Sequence, residues 1–196
     1  MSGITGLLAQ SQQGDASAWG AIIERLYGDM RRLAHNARKL NINEAPDTTA
    51  LVHECYLRMH QHGASGIQSR AHFFNVAASA MRQLLINHAR DRVARKRGGG
   101  NVEYATLSEC DNAADQQATD LLELDDIMRS ALAGDERLIR VVELKVFAGL
   151  TDTEIAEAFD MSVRTAQRLW QEARDKLRAA LTDQADTDQE PARLRQ

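Results

Sequence analysis

The chain has 196 residues, of which 5% are aromatic and two are proline, so its composition favours helices over strands, which need β-branched and aromatic side chains. Two isolated cysteines, Cys55 and Cys110, make no disulfide framework, and neither a bilayer-length apolar run nor a signal-peptide pattern is present. With a formal net charge of −4, the chain is predicted to be a soluble, cytoplasmic protein of one large or two small domains.

Three amphipathic helices are predicted in the N-terminal half. Asp15 can cap the first, the second follows Asp47, and Ser69 can cap a third that ends in a basic stretch. The apolar faces of these helices are formed in turn by Trp19, Ile23, Leu26, Met30 and Leu33, by Leu51, Val52, Cys55, Tyr56 and Met59, and by Phe73, Val76, Ala77, Ala80, Met81, Leu84 and Leu85.

Charge is segregated in the middle of the chain. Residues 82–97 carry six bases and one acid, whereas residues 101–128 carry eight acids and no base. Three glycines after Arg97 cannot sustain a helix, and the acidic stretch beyond them has no apolar period. We therefore predict a flexible acidic linker over residues 98–118, between helical domains at 1–97 and 119–182, and a disordered polar tail at 183–196.

Residues 149–177 have the pattern of a helix-turn-helix, after helices predicted around Leu121 and from Asp135 onward. Thr151 or Asp152 can cap the first of its helices, and Ser162 can cap the second. The inward-facing residues are predicted to be Ile155, Ala156 and Phe159, followed by Ala166, Trp170, Ala173, Leu177 and Leu181.

The second of these helices leaves polar residues exposed near its N-terminal end, the part that contacts base edges in the major groove. Arginine can donate two hydrogen bonds to guanine, and glutamine can pair with adenine. The candidate DNA-binding residues are Ser162, Arg164, Thr165, Gln167, Arg168 and Gln171. The alternative interpretation is a helical hairpin with a solvated polar face.

A second nucleic-acid pattern lies at residues 72–97, where aromatic residues precede the basic stretch. Single-stranded nucleic acid binds to aromatic platforms beside positive grooves. Phe73 and Phe74 are adjacent on a helix and cannot both point squarely into one core, so one of them is a candidate for contact with a base. The alternative is that the phenylalanines are core residues and that the basic helix end is merely solvated.

Four blocks together resemble a known family. They are LYGDMRRLA, TTALVHECYLRM, RAHFFNVAASAMRQLLINHARDRVARKRGGG and FAGLTDTEIAEAFDMSVRTAQRLWQEARDKL, in that order. The chain resembles a bacterial extracytoplasmic-function (ECF) sigma factor of the sigma-70 superfamily over nearly its full length. The resemblance implies an all-α protein with a region 2 helical bundle and a region 4 helix-turn-helix. It implies no enzymatic activity, no cofactor and no metal.

The resemblance also implies the partners, which are core RNA polymerase, through its β′ clamp helices and β flap, and promoter DNA. The helix-turn-helix would bind the −35 element. The N-terminal domain would open the −10 element with Phe73, Phe74, Asn75, Arg82, Asn87, Arg90, Arg92, Lys96 and Arg97, and would bind polymerase with Asp47, Leu51, Val52 and Glu54. The acidic linker would thread through the RNA-exit region and could oppose the basic surfaces in the free protein.

One departure from the family pattern lies in the polymerase-binding helix. ECF sigma factors usually carry an acidic cluster here, whereas this chain keeps Asp47 but has Thr49 and Ala50 in place of two acids. A phosphate at a helix N-terminus adds about −1.5 to −2 charge and interacts favourably with the helix dipole. We hypothesise that a Ser/Thr kinase phosphorylates Thr48 or Thr49 and thereby restores polymerase binding, as in kinase-dependent ECF groups. The alternative is that these threonines are ordinary helix-start residues.

Other functions fit less well. His53, His60 and His62 lack the spacing of a metal-ligand set, and no phosphate-binding loop or nucleophile elbow is present. A stand-alone helix-turn-helix regulator with a sensing N-terminal half is the main alternative, and it would bind DNA without polymerase. A protein adaptor would use neither basic surface, so salt-dependent DNA binding would exclude it.

Overall fold

The computed structural model describes residues 4–13, 15–39, 47–61, 67, 69–98 and 109–193, and its elements are all helices. In chain order they are α1 (Ile4–Gln12), α2 (Ala16–Arg38), α3 (Thr48–Gln61), α4 (Arg70–Gly98), α5 (Glu109–Ala131), α6 (Glu136–Val142), α7 (Asp152–Ala158) and α8 (Val163–Arg193). Between α6 and α7, residues Glu143–Phe147 form a π-helical segment, here named the π-turn. The all-α prediction is confirmed, and none of the described helices is long and apolar enough to span a membrane.

The predicted helix starts are confirmed by their caps. The Asp15 carboxylate accepts a hydrogen bond from the Ser17 backbone N–H at 2.9 Å, and Ser69 Oγ accepts one from His72 N–H at 3.0 Å. Each cap satisfies a backbone donor that has no partner within the helix. The first turn of each helix is therefore fixed by a side chain that the sequence places just before it.

A single hydrophobic core extends through both halves of the chain. In the N-terminal half it is formed by α2, α3 and α4, whose Leu26, Leu51 and Met81 are fully buried. The core continues through Leu144 and Phe147 of the π-turn, because α4 also packs against α5, the π-turn and α7. Apolar burial is the main stabilising term in folding, so contact with α4 stabilises the C-terminal helices.

Two boundaries differ from those predicted, and one helix was not predicted. Helix α5 begins at Glu109, so residues 109–118 of the predicted linker are helical, while residues 99–108 lie outside the described part. Helix α8 continues to Arg193 and includes most of the predicted polar tail. Helix α1, which the sequence reading missed, covers part of α2 and buries Leu8.

Candidate nucleic-acid interface

The helix-turn-helix consists of α7, a tight turn and α8. Thr151 and Glu154 form a reciprocal capping box at the start of α7, in which each side chain bonds the backbone N–H of the other. Asp160 adopts a left-handed conformation, with φ of 50°, at the end of α7. Ser162 Oγ then accepts a hydrogen bond from Thr165 N–H at 3.1 Å, which confirms Ser162 as the cap of α8.

Most of the predicted reading residues of α8 are exposed. Ser162, Arg164, Gln167, Arg168 and Gln171 are exposed, whereas Thr165 is half-buried and its hydroxyl lies 2.8 Å from that of Ser162. The opposite face is anchored by buried residues, which are Ala166, Leu169 and Ala173. The geometry therefore leaves one polar face open at the N-terminal end of α8.

Two details of α8 differ from the prediction. Leu169 is buried and Trp170 is only half-buried, so the packed face is rotated slightly from the predicted stripe. Leu181 is 51% exposed instead of buried. At this position the other described helices leave α8 open to solvent.

The basic end of α4 lies against acidic residues from the second half of the chain. Arg82 donates to Asp125 of α5, and its Nη1 donates to Glu143 Oε1 of the π-turn at 2.9 Å. Arg90 lies 3.7 Å from the other oxygen of Asp125. Asp125 and Glu143 are both buried, and their charges are thus balanced by arginine side chains from α4.

A second ion-pair cluster lies further along α4. Arg92 Nε donates to Asp115 Oδ1 at 2.7 Å, and Lys96 Nζ lies 2.9 Å from Asp115 Oδ2. The hydrogen bond from Lys96, reinforced by that from Arg92, holds the pKa of the Asp115 carboxyl below its ordinary value. The side chain of Arg97, also predicted to bind DNA, lies outside the described residues.

The aromatic residues of α4 do not form an open platform in this structure, contrary to the suggestion that one ring is free to contact a base. Phe73 and Phe74 are both buried, with their rings edge to face at 5.9 Å. Both can be buried because α4 is packed on more than one side: Leu150 and Ala158 of the second half border the same cavity as Phe74, and the Arg70 guanidinium lies 5.1 Å from its ring centroid.

The two asparagines proposed for the −10 element are half-buried. Asn87 accepts a hydrogen bond from Gln83 at 3.1 Å. Asn75 lines a cleft of about 650 Å³ between α4 and α6, and its Oδ1 has no hydrogen-bond partner among the described residues. The Oδ1 atom of Asn75 is itself buried, so it is not accessible to DNA in this structure.

The predicted polymerase-binding residues of α3 occupy different environments. Leu51 and Val52 are buried in the core, so they stabilise α3 and cannot contact a partner directly in this structure. This corrects the prediction, which transferred a surface role to the apolar face of the helix. Asp47 is exposed and caps α3, and hydrogen bonds from the N–H groups of Ala50 and Thr49 lower its pKa. Glu54 is half-buried and bonds His88 at 3.2 Å.

The two candidate phosphorylation sites also differ. Thr48 is half-buried, and its hydroxyl accepts a 3.4 Å hydrogen bond from Arg38. Thr49 is exposed in the first turn of α3, which contains no acidic residue. Of the two hydroxyl groups, that of Thr49 is therefore the more accessible to an enzyme.

The sequence reading missed the acidic partners of α4, namely Asp115, Asp125 and Glu143. A signal for Asp125 was present, because it lies one turn after Leu121 and one turn before Met128, on the face that those residues bury. A carboxylate among apolar positions needs a cationic partner. No comparable local signal identifies Glu143, whose inward direction depends on the π-turn.

Comparisons with known proteins identify a family and one similar solved structure. The sequence model of the ECF sigma factor family matches residues 1–183. No curated protein matches the chain. Among solved structures, the chain is similar to one described as the structure of CnrH in complex with the cytosolic domain of CnrY, with 22% sequence identity and a TM-score of 0.38 over 90% of this chain and 96% of that one.

Proposed function

The chain belongs to the ECF sigma factor family, and we propose that it acts as an RNA polymerase sigma factor in which separate surfaces contact the polymerase and the two promoter elements. Such a protein is not an enzyme but directs core polymerase to promoter DNA. In this proposal α8 reads the −35 element, the basic part of α4 binds and opens the −10 element, and the start of α3 contacts polymerase. The acidic segment at residues 98–118, whose second half forms the start of α5, follows the RNA-exit region.

The observation that carries the proposal is the exposed polar face at the start of α8. Arg164 and Arg168 lie one turn apart on that face, beside the exposed Gln167. Arginines at the N-terminal end of such a helix can reach guanine edges, each for about 1–3 kcal/mol of discrimination. Loss of either side chain should therefore weaken promoter recognition without unfolding the helix.

Transcription of fragmented genomic DNA by purified core polymerase, with sequencing of the transcript starts, tests this function. Wild-type protein should direct initiation at a defined set of sites, and Arg164→Ala or Arg168→Ala should reduce it about tenfold or more. Arg178→Ala is the matched control, since it removes the same charge from an exposed position further along α8. Tight, specific binding to those sites without polymerase, and no initiation with it, would instead support a stand-alone regulator.

For the −10 element, the proposal assigns phosphate contacts to Arg90, Arg92, Lys96 and Arg97. Phosphate contacts give affinity that falls steeply with salt. Replacing Lys96 with alanine should weaken promoter binding by the holoenzyme uniformly across promoters. It should also reduce the slope of log affinity against log salt concentration by about one, because one fewer counterion is released on binding. A change confined to particular promoters would assign Lys96 to sequence recognition instead.

Phosphorylation of the start of α3 is the regulatory part of the proposal. Its support is the exposed Thr49 hydroxyl in a first turn without acidic residues, next to the Asp47 cap. A phosphate there adds negative charge where the helix dipole is positive. Basic residues on the polymerase surface would then meet the charge that acidic residues supply in most of the family.

A pull-down with core polymerase tests this regulation. Thr49→Asp should bind more tightly than wild type, and Thr49→Ala should bind as weakly as the unmodified protein. Thr182→Asp, an exposed position on α8, controls for added charge away from α3. Equally tight binding by unmodified wild type and Thr49→Ala would rule out the phosphorylation switch while leaving the sigma-factor function intact.

A further inference from the structure

The side chain of Arg82 is enclosed by groups from the second half of the chain. Its guanidinium bonds Asp125 and Glu143 and lies 6.0 Å from the centroid of the Phe147 ring. The side chains of Arg82, Asp125 and Glu143 are 13%, 1% and 8% exposed. A guanidinium held by two buried carboxylates has no free face for a DNA phosphate or base.

The π-turn positions two of the groups that surround the Arg82 guanidinium. Glu143 and Phe147 are its first and last residues, and both are buried against α4. The wider turn of a π-helix changes which side chains share a face and is common at functional positions. Here it directs a carboxylate and an aromatic ring to the same guanidinium.

Asp115 makes a second contact of the same kind. Its two oxygens bind Arg92 and Lys96, which are one helical turn apart on α4. A carboxylate that bridges two cations at this spacing uses the donors that a backbone phosphate would use. Both clusters thus engage residues assigned to DNA under the proposed function.

We propose that the free protein is autoinhibited by these contacts, with Asp115, Asp125 and Glu143 occupying the cations of α4 in place of DNA. We name this set of ion pairs the latch. The inference rests on the proposed function for the identity of the competing ligand, single-stranded or promoter DNA, but the latch itself is a property of the isolated chain.

The burial of Asp125 and Glu143 makes it unfavourable to separate their ion pairs one at a time. Separating one partner from a buried ion pair leaves an uncompensated charge in a poorly solvated site. Asp125 also bonds Arg129 at 2.9 Å and lies near Arg90, so its withdrawal affects several cations at once. DNA can therefore reach the enclosed side chains of Arg82 and Arg92 only when the acidic residues move away, and competes with those residues for the more exposed Lys96.

The test compares a latch variant with a charge-matched control. Asp125→Asn with Glu143→Gln removes the two buried carboxylates, neither of which is assigned to DNA or polymerase. The control, Asp126→Asn with Glu136→Gln, removes the same charge from two exposed positions on α5 and α6. Asp115→Asn is a milder latch variant that tests the second cluster if the double variant does not fold.

Two measurements at fixed ionic strength decide the proposal. Small-angle X-ray scattering should give a compact wild type and control and a larger radius of gyration for the latch variant. Fluorescence anisotropy with a labelled, mixed-sequence single-stranded DNA should show binding on the order of tenfold tighter by the latch variant, a size typical of coupling between sites. Asp115→Asn should show a smaller gain, and the control should bind like wild type.

An extended wild type in solution would overturn the proposal, as would equal DNA affinities for the latch variant and the control. Circular dichroism establishes that each variant is folded before it is compared. The same proteins, assayed for initiation with core polymerase, test the proposed function separately. A compact wild type whose variants all fail to initiate would refute that function and leave the latch in place.

Discussion

The contact between Asn36 and Gly149 gives a direct test of the closed arrangement. Gly149 has φ of +65° and precedes α7, while Asn36 lies near the end of α2 and donates from Nδ2 to the Ala148 carbonyl at 3.2 Å. A Cβ atom at Gly149 would lie 2.5 to 2.8 Å from three side-chain atoms of Asn36, including its Cβ. Gly149→Ala therefore adds both backbone strain and a clash between the two halves.

The magnitudes of these two effects can be separated. A left-handed conformation costs a residue other than glycine about 1–2 kcal/mol, and forcing an extra methyl group into a packed site costs about 1–3 kcal/mol. Gly149→Ala should thus lower the free energy of unfolding by about 2–5 kcal/mol. Asn36→Ala should cost about 1 kcal/mol through its lost hydrogen bond. Alanine at position 36 removes the Nδ2 and Cγ contacts but keeps the Cβ atom 2.8 Å away, so it relieves part of the clash. The double variant should therefore lose less than the two single losses combined, by more than about 0.5 kcal/mol.

Urea unfolding followed by circular dichroism measures all three values. Gly134→Ala is the matched control, because Gly134 has φ of +83° but open space around it, so its substitution adds backbone strain without a clash. If Gly149→Ala is no more destabilising than Gly134→Ala, and the cycle is additive to within about 0.5 kcal/mol, then α2 does not contact this turn in solution. That result would refute the packing of the two halves.

Three further outcomes are expected. Burial raises the pKa of the Cys55 thiol to about 12, so in a Cys110→Ser variant it should resist alkylation at pH 8 until the protein is unfolded, and rapid labelling of native protein would contradict its burial. The pKa of Asp115 is lowered from 3.8, chiefly by the hydrogen bond from Lys96, so its contribution to stability is complete above that value and is lost as the pH falls through the lowered one. The stability difference between wild type and Asp115→Asn, measured by urea unfolding, should accordingly stay constant above about pH 5 and shrink toward pH 3, and a pH-independent difference would argue against this ion pair. Thr151→Ala removes half of the capping box and should cost about 1 kcal/mol of stability in the same assay, whereas an unchanged unfolding midpoint would show that α7 does not depend on this cap.

The parts of the fold that depend on local signals were predictable from the sequence. The caps at Asp15, Ser69, Thr151 and Ser162 act on backbone groups within a few residues, so residue type and spacing suffice to locate them. The same holds for the exposed face of α8, because helical periodicity alone separates it from the face carrying Ala166.

The missed features depend on contacts between distant parts of the chain. The start of α5 lacks large apolar residues, but its small Ala114 and Ala118 are buried, and Asp115 between them pairs with cations of α4. A search for large apolar residues at helical spacing assigns such a segment to a loop, because its buried residues are small. Similarly, Phe74 is buried because residues of the second half of the chain cover it, which no local pattern around Phe74 reveals.

The latch, together with the proposed function, has a consequence for the order in which the partners act. A ligand shifts a conformational equilibrium only by the difference between its affinities for the two states. If roughly one molecule in ten is open, DNA binding to α4 is weakened about tenfold, and a polymerase that binds both halves at separated sites removes that loss. The latch variant should therefore gain DNA affinity when it is alone but gain little in promoter affinity once it is bound to core polymerase. Equal gains in the two cases would mean that polymerase binding does not open the latch.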